Sequence, residues 1–114
     1  MIKAKDVTVL ESILRKEYDP LLILIIVEII AEFEDIVFTC GYRSGDRGVH
    51  GTDPCRGIDI REWIYDHPED VVDFVNRRWQ YDPHRPSMVC AMLHDTGKGM
   101  HLHIQTHPNT IRKE

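Results

Sequence analysis

At 114 residues the chain has the length of one ordinary domain, and 42% hydrophobic residues suffice for a core without disulfide staples. A formal net charge of −5, with no basic cluster beyond Arg77-Arg78, argues against a phosphate-tracking surface and hence against nucleic acid as a partner. Cys40, Cys55 and Cys90 are odd in number, widely spaced and without a C-x-x-C pair, a pattern of free thiols in a reducing compartment rather than a disulfide framework or zinc ribbon.

The opening MIKAKDVTVLES has no apolar stretch leading to a small-residue cleavage site, so no secretory signal is expected. The chain is expected to be cytoplasmic as made, with any target outside the cytoplasm reached through another factor. Thr8 and Glu11 have capping-box spacing, and Leu10, Ile13, Leu14 and Tyr18 recur on one face, predicting an amphipathic helix over 8–17. Asp19-Pro20 opens a second, more apolar helix to about Phe33. Its run LLILIIVEII is about half a bilayer span and contains Glu28, so it reads as a buried helix and no membrane span is expected.

Residues 36–40 (IVFTC) are β-branched and aromatic and predict a short strand ending at Gly41. The Gly-, Asp- and Arg-rich segment from Gly41 to Gly57 predicts a long loop, a feature that in small domains usually serves function. GIDIR at 57–61 alternates, placing Ile58 and Ile60 toward the core and Asp59 and Arg61 away from it. A third helix follows His67-Pro68, with Val71, Val72, Val75 and Trp79 at helical spacing and Asp82-Pro83 as its stop. Residues 88–94 and 100–106 predict two strands joined by a glycine-containing hairpin loop at 95–99. The order describes a single α+β domain over residues 1–114, with N-terminal helices packed on a small antiparallel sheet.

In HLHIQTH, alternation sets His101, His103 and Gln105 on one face and Leu102 and Ile104 on the core face. Asp59 shares that polarity and meets the histidines if its strand lies in the same sheet, with His50 in the loop just before it. Two histidines and one carboxylate with a free fourth position make the ligand set of catalytic zinc. The plain alternative is a solvent-facing His-x-His with no metal role. His67, His84, His94 and His107 read as helix-start, loop and strand-end polar residues. Cys55 is a conceivable soft ligand but reads better as a loop thiol, and Cys40 and Cys90 read as small core residues.

The run GYRSGDRGVHGTDPCRGIDI followed by HLHIQ resembles the D-alanyl-D-alanine carboxypeptidases and phage-endolysin metallopeptidases, which share a fold with lysostaphin-type enzymes and the hedgehog signalling domain. The likeness covers residues 40–60 and 99–108. It implies a zinc ion (Zn2+) held by His50, Asp59 and His103, with His101 and Arg43 as catalytic residues and Arg43, Tyr42 and Ser44 as substrate-binding residues. The implied substrate is a peptidoglycan stem peptide or cross-link, which makes the cell wall the implied target, with delivery by another factor. Two departures stand out. Eight residues separate His50 from Asp59, two more than the family usually has, so residues 52–55 must bulge outward. The glutamate base of other branches is absent, since position 98 is lysine and position 100 methionine. A catalytically inactive zinc-binding phage or prophage accessory module of the same fold is the alternative. A cupin is disfavoured because no glutamate follows His103 at cupin spacing and the N-terminal third is helical.

Overall fold

The computed structural model describes residues 1–95, 97 and 99–113. The chain opens with a strand that its composition does not announce. β1 (Ile2–Ala4) pairs in parallel with β2 (Ile36–Cys40), Ile2 opposite Ile36 and Ala4 opposite Phe38. The five-stranded sheet is therefore mixed rather than antiparallel, in the order β1-β2-β3-β6-β5, with β3 at Gly57–Ile60, β5 at Ala91–Asp95 and β6 at Met100–Gln105. Three residues are too few to display a period. What holds them is the unpaired edge of β2 and the terminal amine, which pairs with Asp35 at 2.6 Å.

α1 spans Val7–Leu14 and is capped by Asp6, whose carboxylate accepts from the Val9 amide at 2.9 Å. Thr8 thus lies inside the helix rather than at its cap, because the aspartate two residues earlier reaches the free amides first. None of its residues is fully buried; only Ile13 packs against the core. α2 (Pro20–Phe33) starts on Pro20, as the Asp19-Pro20 pair predicts, and buries Leu22, Ile25, Ile26 and Ile29. No helix among the described residues is long and apolar enough to cross a membrane.

α3 (Pro68–Arg78) buries Val71, Phe74 and Val75, and stops at Trp79 rather than at Asp82. Trp79 turns extended and forms β4 (Trp79–Gln80) against β7 (Ile111–Arg112). Its buried indole N–H donates to Glu28 Oε1 at 2.7 Å, and the Arg112 guanidinium lies 4.5 Å from its ring centroid. That tertiary anchor outweighs continuation of the helix. β5 likewise begins at Ala91, not at Met88, and pairs antiparallel with β6 from Ala91 opposite Ile104 to Asp95 opposite Met100. The hairpin loop expected at 95–99 includes Thr96 and Lys98, which lie outside the described residues.

Ile58, Ile60, Leu102 and Ile104 meet the buried faces of α2 and α3 in one core. Each such side chain contributes on the order of 1.5–3 kcal/mol by leaving water. The opposite face of the sheet is left to Asp59, His103 and Gln105. The long loop is stitched to the segment between α1 and α2: the Cys55 amide donates to Glu17 O and the Asp19 amide to Cys55 O, both at 2.9 Å. The Tyr18 hydroxyl donates to Ser12 O and accepts from the Tyr42 amide, each at 2.9 Å.

Candidate metal centre

Three neighbouring strands set three side chains in a row. Asp59 faces His103 across β3–β6 and Cys40 across β2–β3. Cys40 reaches this face through an irregularity in β2. Phe38 lies opposite Ile60 while Cys40 lies opposite Asp59, so two steps on β2 match one on β3, and Thr39 is the extra residue of a bulge. Unbroken alternation would have put Cys40 on the core side with Ile36 and Phe38, which is why it reads as a core residue in the sequence.

His50 comes from the loop. It sits in a single 3-10 turn, Val49–Gly51, tied down by the Arg43 amide donating to His50 O at 2.8 Å and by Thr52 Oγ1 donating to Val49 O at 2.9 Å. The Thr52 hydroxyl also accepts from the Arg56 amide at 2.9 Å, which closes the turn over residues 52–56, and the outward bulge expected of 52–55 stops short of Cys55, which is fully buried. His50 Nε2 lies 3.3 Å from Asp59 Oδ1, His103 Nδ1 lies 2.7 Å from the same oxygen, and the two rings are 5.3 Å apart. All three side chains are buried.

The outer hydrogen bonds decide which nitrogens are free. His50 Nδ1 is 2.8 Å from Gly41 O, a pure acceptor, so that nitrogen carries a proton and donates. Gln105 donates its amide N–H to Val89 O at 2.8 Å, which turns Gln105 Oε1 toward His103 Nε2 at 3.0 Å, so this nitrogen donates too. In the neutral imidazoles the remaining lone pairs, on His50 Nε2 and His103 Nδ1, then both point at a carboxylate oxygen. Three electron-rich atoms at these separations require a cation between them, a proton or a metal ion. Without a metal the proton takes that place. Burial alone would lower the His50 pKa, but the Asp59 carboxylate, with help from Cys40, outweighs it and pushes it up to about 10. Burial would likewise raise the Asp59 carboxyl, but hydrogen bonds from His103 and His50 hold it far below the usual carboxylate range.

Cys40, His50 and Asp59 form a group, among the described residues, whose ligand atoms all lie within 4.8 Å of one another and which can hold a metal ion. Cys40 Sγ is 3.8 Å from His50 Nδ1, the nitrogen already committed to Gly41 O. Cys55 is not in this group; it is buried below the loop with its thiol 3.3 Å from Gly57 O.

The centre lies in a cleft of about 380 Å³ whose walls include Arg43, Tyr81, Met88, Met92 and His94. Arg43 is thus brought beside the group, with its guanidinium 2.9 Å from Asp46 Oδ2. Tyr42 and Ser44 are not; they line a different hollow against α1, where Lys16 Nζ lies 4.4 Å from the Tyr42 ring centroid. His101 lines a third hollow with Arg61 and Trp63. His94, read from the sequence as a strand-end residue, has its ring 6.3 Å from that of His103. Its pairing with His101 across β5–β6 puts it on the functional face, and only the register of the hairpin could have revealed that.

The fold and the centre together define an α+β domain whose half-buried Cys40 and buried His50 and Asp59 form a group that could hold a metal ion. The chain matches no protein-family model, no curated protein and no solved structure.

Proposed function

We propose that the chain is a zinc-dependent peptidase acting on peptidoglycan peptides, of the D-alanyl-D-alanine carboxypeptidase or endolysin-type endopeptidase kind that its GYRSGDRGVHGTDPCRGIDI and HLHIQ runs resemble. The observation that carries the reading is the convergence of His50 Nε2 and His103 Nδ1 on Asp59 Oδ1, with each ring's other nitrogen committed to a fixed acceptor. Two imidazole nitrogens and one carboxylate leave a coordination position open, as hydrolytic zinc requires. When bound, zinc supplies the Lewis acidity that polarises a peptide carbonyl and acidifies water.

The chain's own residues supply the rest. His94 faces the cleft and takes the acid–base role that the resemblance gives to His101, which lines the neighbouring hollow. Arg43, held by Asp46 at the cleft wall, offers planar donors to charge developing on the scissile carbonyl.

A second reading, a zinc-binding module without turnover, draws on Cys40. If its thiolate joins His50, Asp59 and His103, the ion has four protein ligands and no open position, the pattern of structural zinc. One set of variants separates the two. On the peptidase reading the protein carries one zinc per chain and cleaves peptidoglycan fragments, His103→Ala loses the metal, and Cys40→Ser keeps both metal and turnover. His94→Ala keeps zinc and loses roughly 10²–10⁴-fold in rate. Metal loss in Cys40→Ser, with no cleavage by the parent, establishes the module instead; a parent that takes up no zinc ends both readings.

A further inference from the structure

Two residues along the sheet from His103 and Asp59 stand His101 and Arg61, on the same face as the metal group by strand alternation. With Lys5, Thr39 and Trp63 they line a hollow of about 250 Å³. At roughly 3.3 Å of rise per residue, its centre lies about 7 Å from the cleft, within the span of two residues of an extended peptide.

The chemistry of this hollow is specific. Arg61 and Lys5 take part in no ion pair among the described residues, whereas Arg43 in the metal cleft is already neutralised by Asp46. Among the described residues Glu62 is the one acid of the lining, so Arg61 and Lys5 outnumber it there. The Arg61 guanidinium lies 5.0 Å from the Trp63 ring centroid, a stacking that fixes the plane of its donor fork. Trp63 is 68% exposed, unlike Trp79 at 4%, and a tryptophan left so open beside an unpaired arginine is a surface built to be covered. The Thr39 hydroxyl, at the β2 bulge, is buried without a hydrogen-bond partner among the described residues, leaving an uncommitted donor at the edge of the same hollow.

We infer that this hollow is the substrate's carboxylate subsite: Arg61 grips a carboxylate one or two residues from the scissile bond, Lys5 adds charge, His101 offers a hydrogen bond and Trp63 covers the adjoining apolar stem. The inference rests on the zinc-peptidase reading for the direction in which substrate lies, and it moves His101 from the chemical step to substrate binding. The carboxylate has two sources in peptides of this class, a chain terminus or an acidic side chain.

The test is a titration of tryptophan emission in the zinc-loaded full chain, read through exposed Trp63, with Trp63→Phe as the control that loses the signal. Three probes are compared: N-acetyl-Lys-D-Ala-D-Ala with a free C-terminus, its C-terminal amide, and N-acetyl-Lys-D-Glu-D-Ala amide, whose single carboxylate is in a side chain. A saturable change with one or both carboxylate-bearing peptides and none with the plain amide is expected, and the peptide that responds identifies the source. Arg61→Gln is expected to weaken that binding about tenfold or more, the worth of one charge-assisted bond, with zinc content unchanged. Equal responses to acid and plain amide, no response to any probe, or unaltered binding by Arg61→Gln would overturn the subsite. Binding without hydrolysis leaves the subsite standing and removes the peptidase; hydrolysis with a KM indifferent to Arg61→Gln does the reverse.

Discussion

Gln105 lines the cleft of the centre without approaching Asp59, and it determines which nitrogen of His103 is available. Its amide is oriented by Val89 O, and its Oε1 accepts from His103 Nε2. Replacing it with leucine keeps the bulk but frees the imidazole to change tautomer, so Gln105→Leu is expected to weaken zinc binding by about 10–100-fold in a competitive chelator titration. Gln105→Glu retains an acceptor and is expected to bind zinc at least as well as the parent; equal affinity in all three proteins would show that the tautomer is not set this way. At this scale the meeting of Asp59 with His103 was legible in the sequence, because period-two alternation fixes faces, while the approach of His50 to Asp59 was suggested by its place in the loop before the strand and by the resemblance. Cys40 and His94 were not. A one-residue bulge moves the first, and a cross-strand register places the second, and neither leaves a mark in local composition.

At the scale of elements, the loop that carries His50 works because it is tight. A Cβ on Gly51 would collide with the Asp46 carbonyl oxygen, and one on Gly57 would run into the Val49 side chain. Gly51→Ala must therefore push the 3-10 turn away from residues 43–46, and is expected to cost about 1–3 kcal/mol in denaturant unfolding and to weaken zinc binding with it. Gly45, where a Cβ meets nothing, is the contrast, since its cost comes from its positive φ of 79° alone and zinc binding is expected to be retained. Two of the three helix starts were legible. The Asp19-Pro20 start was readable because proline pre-forms the first turn, while the α1 cap was assigned to Thr8 although Asp6 holds it. Asp6→Ala is expected to cost about 1 kcal/mol, and Thr8→Ala much less, in the same unfolding measurement.

For the whole molecule, the apolar periods of α2, α3, β3 and β6 disclosed one α+β core, and what they hid were the pieces held by tertiary partners: β1 on the β2 edge and Trp79 on Glu28 and Arg112. The metal group couples that fold to pH in a way that can be signed. In the metal-free chain His50 has its pKa raised to about 10, so its contribution to stability is complete below the unfolded value near 6.5 and is lost as pH rises toward 10. Asp59 is depressed, so its contribution is present above the unfolded carboxyl value and is lost on strong acidification. Metal-free protein is therefore expected to be most stable between the two limits, with a melting temperature that declines on either side. On the zinc reading, the metal is expected to change the alkaline limb. The ion must displace the His50 proton, so its apparent affinity is expected to rise about tenfold per pH unit below that pKa, and each bound ion releases a proton into a weakly buffered solution. On the zinc reading the ion binds the folded chain alone, so its stabilisation is expected to grow as the logarithm of its concentration over the dissociation constant, and this gain to increase with pH where the metal-free chain is losing stability. Thermal melts from pH 5 to 9, with chelator and with excess zinc, should thus diverge as pH rises; parallel curves would mean that zinc does not compete with the His50 proton, and that the ion is not held by this nitrogen.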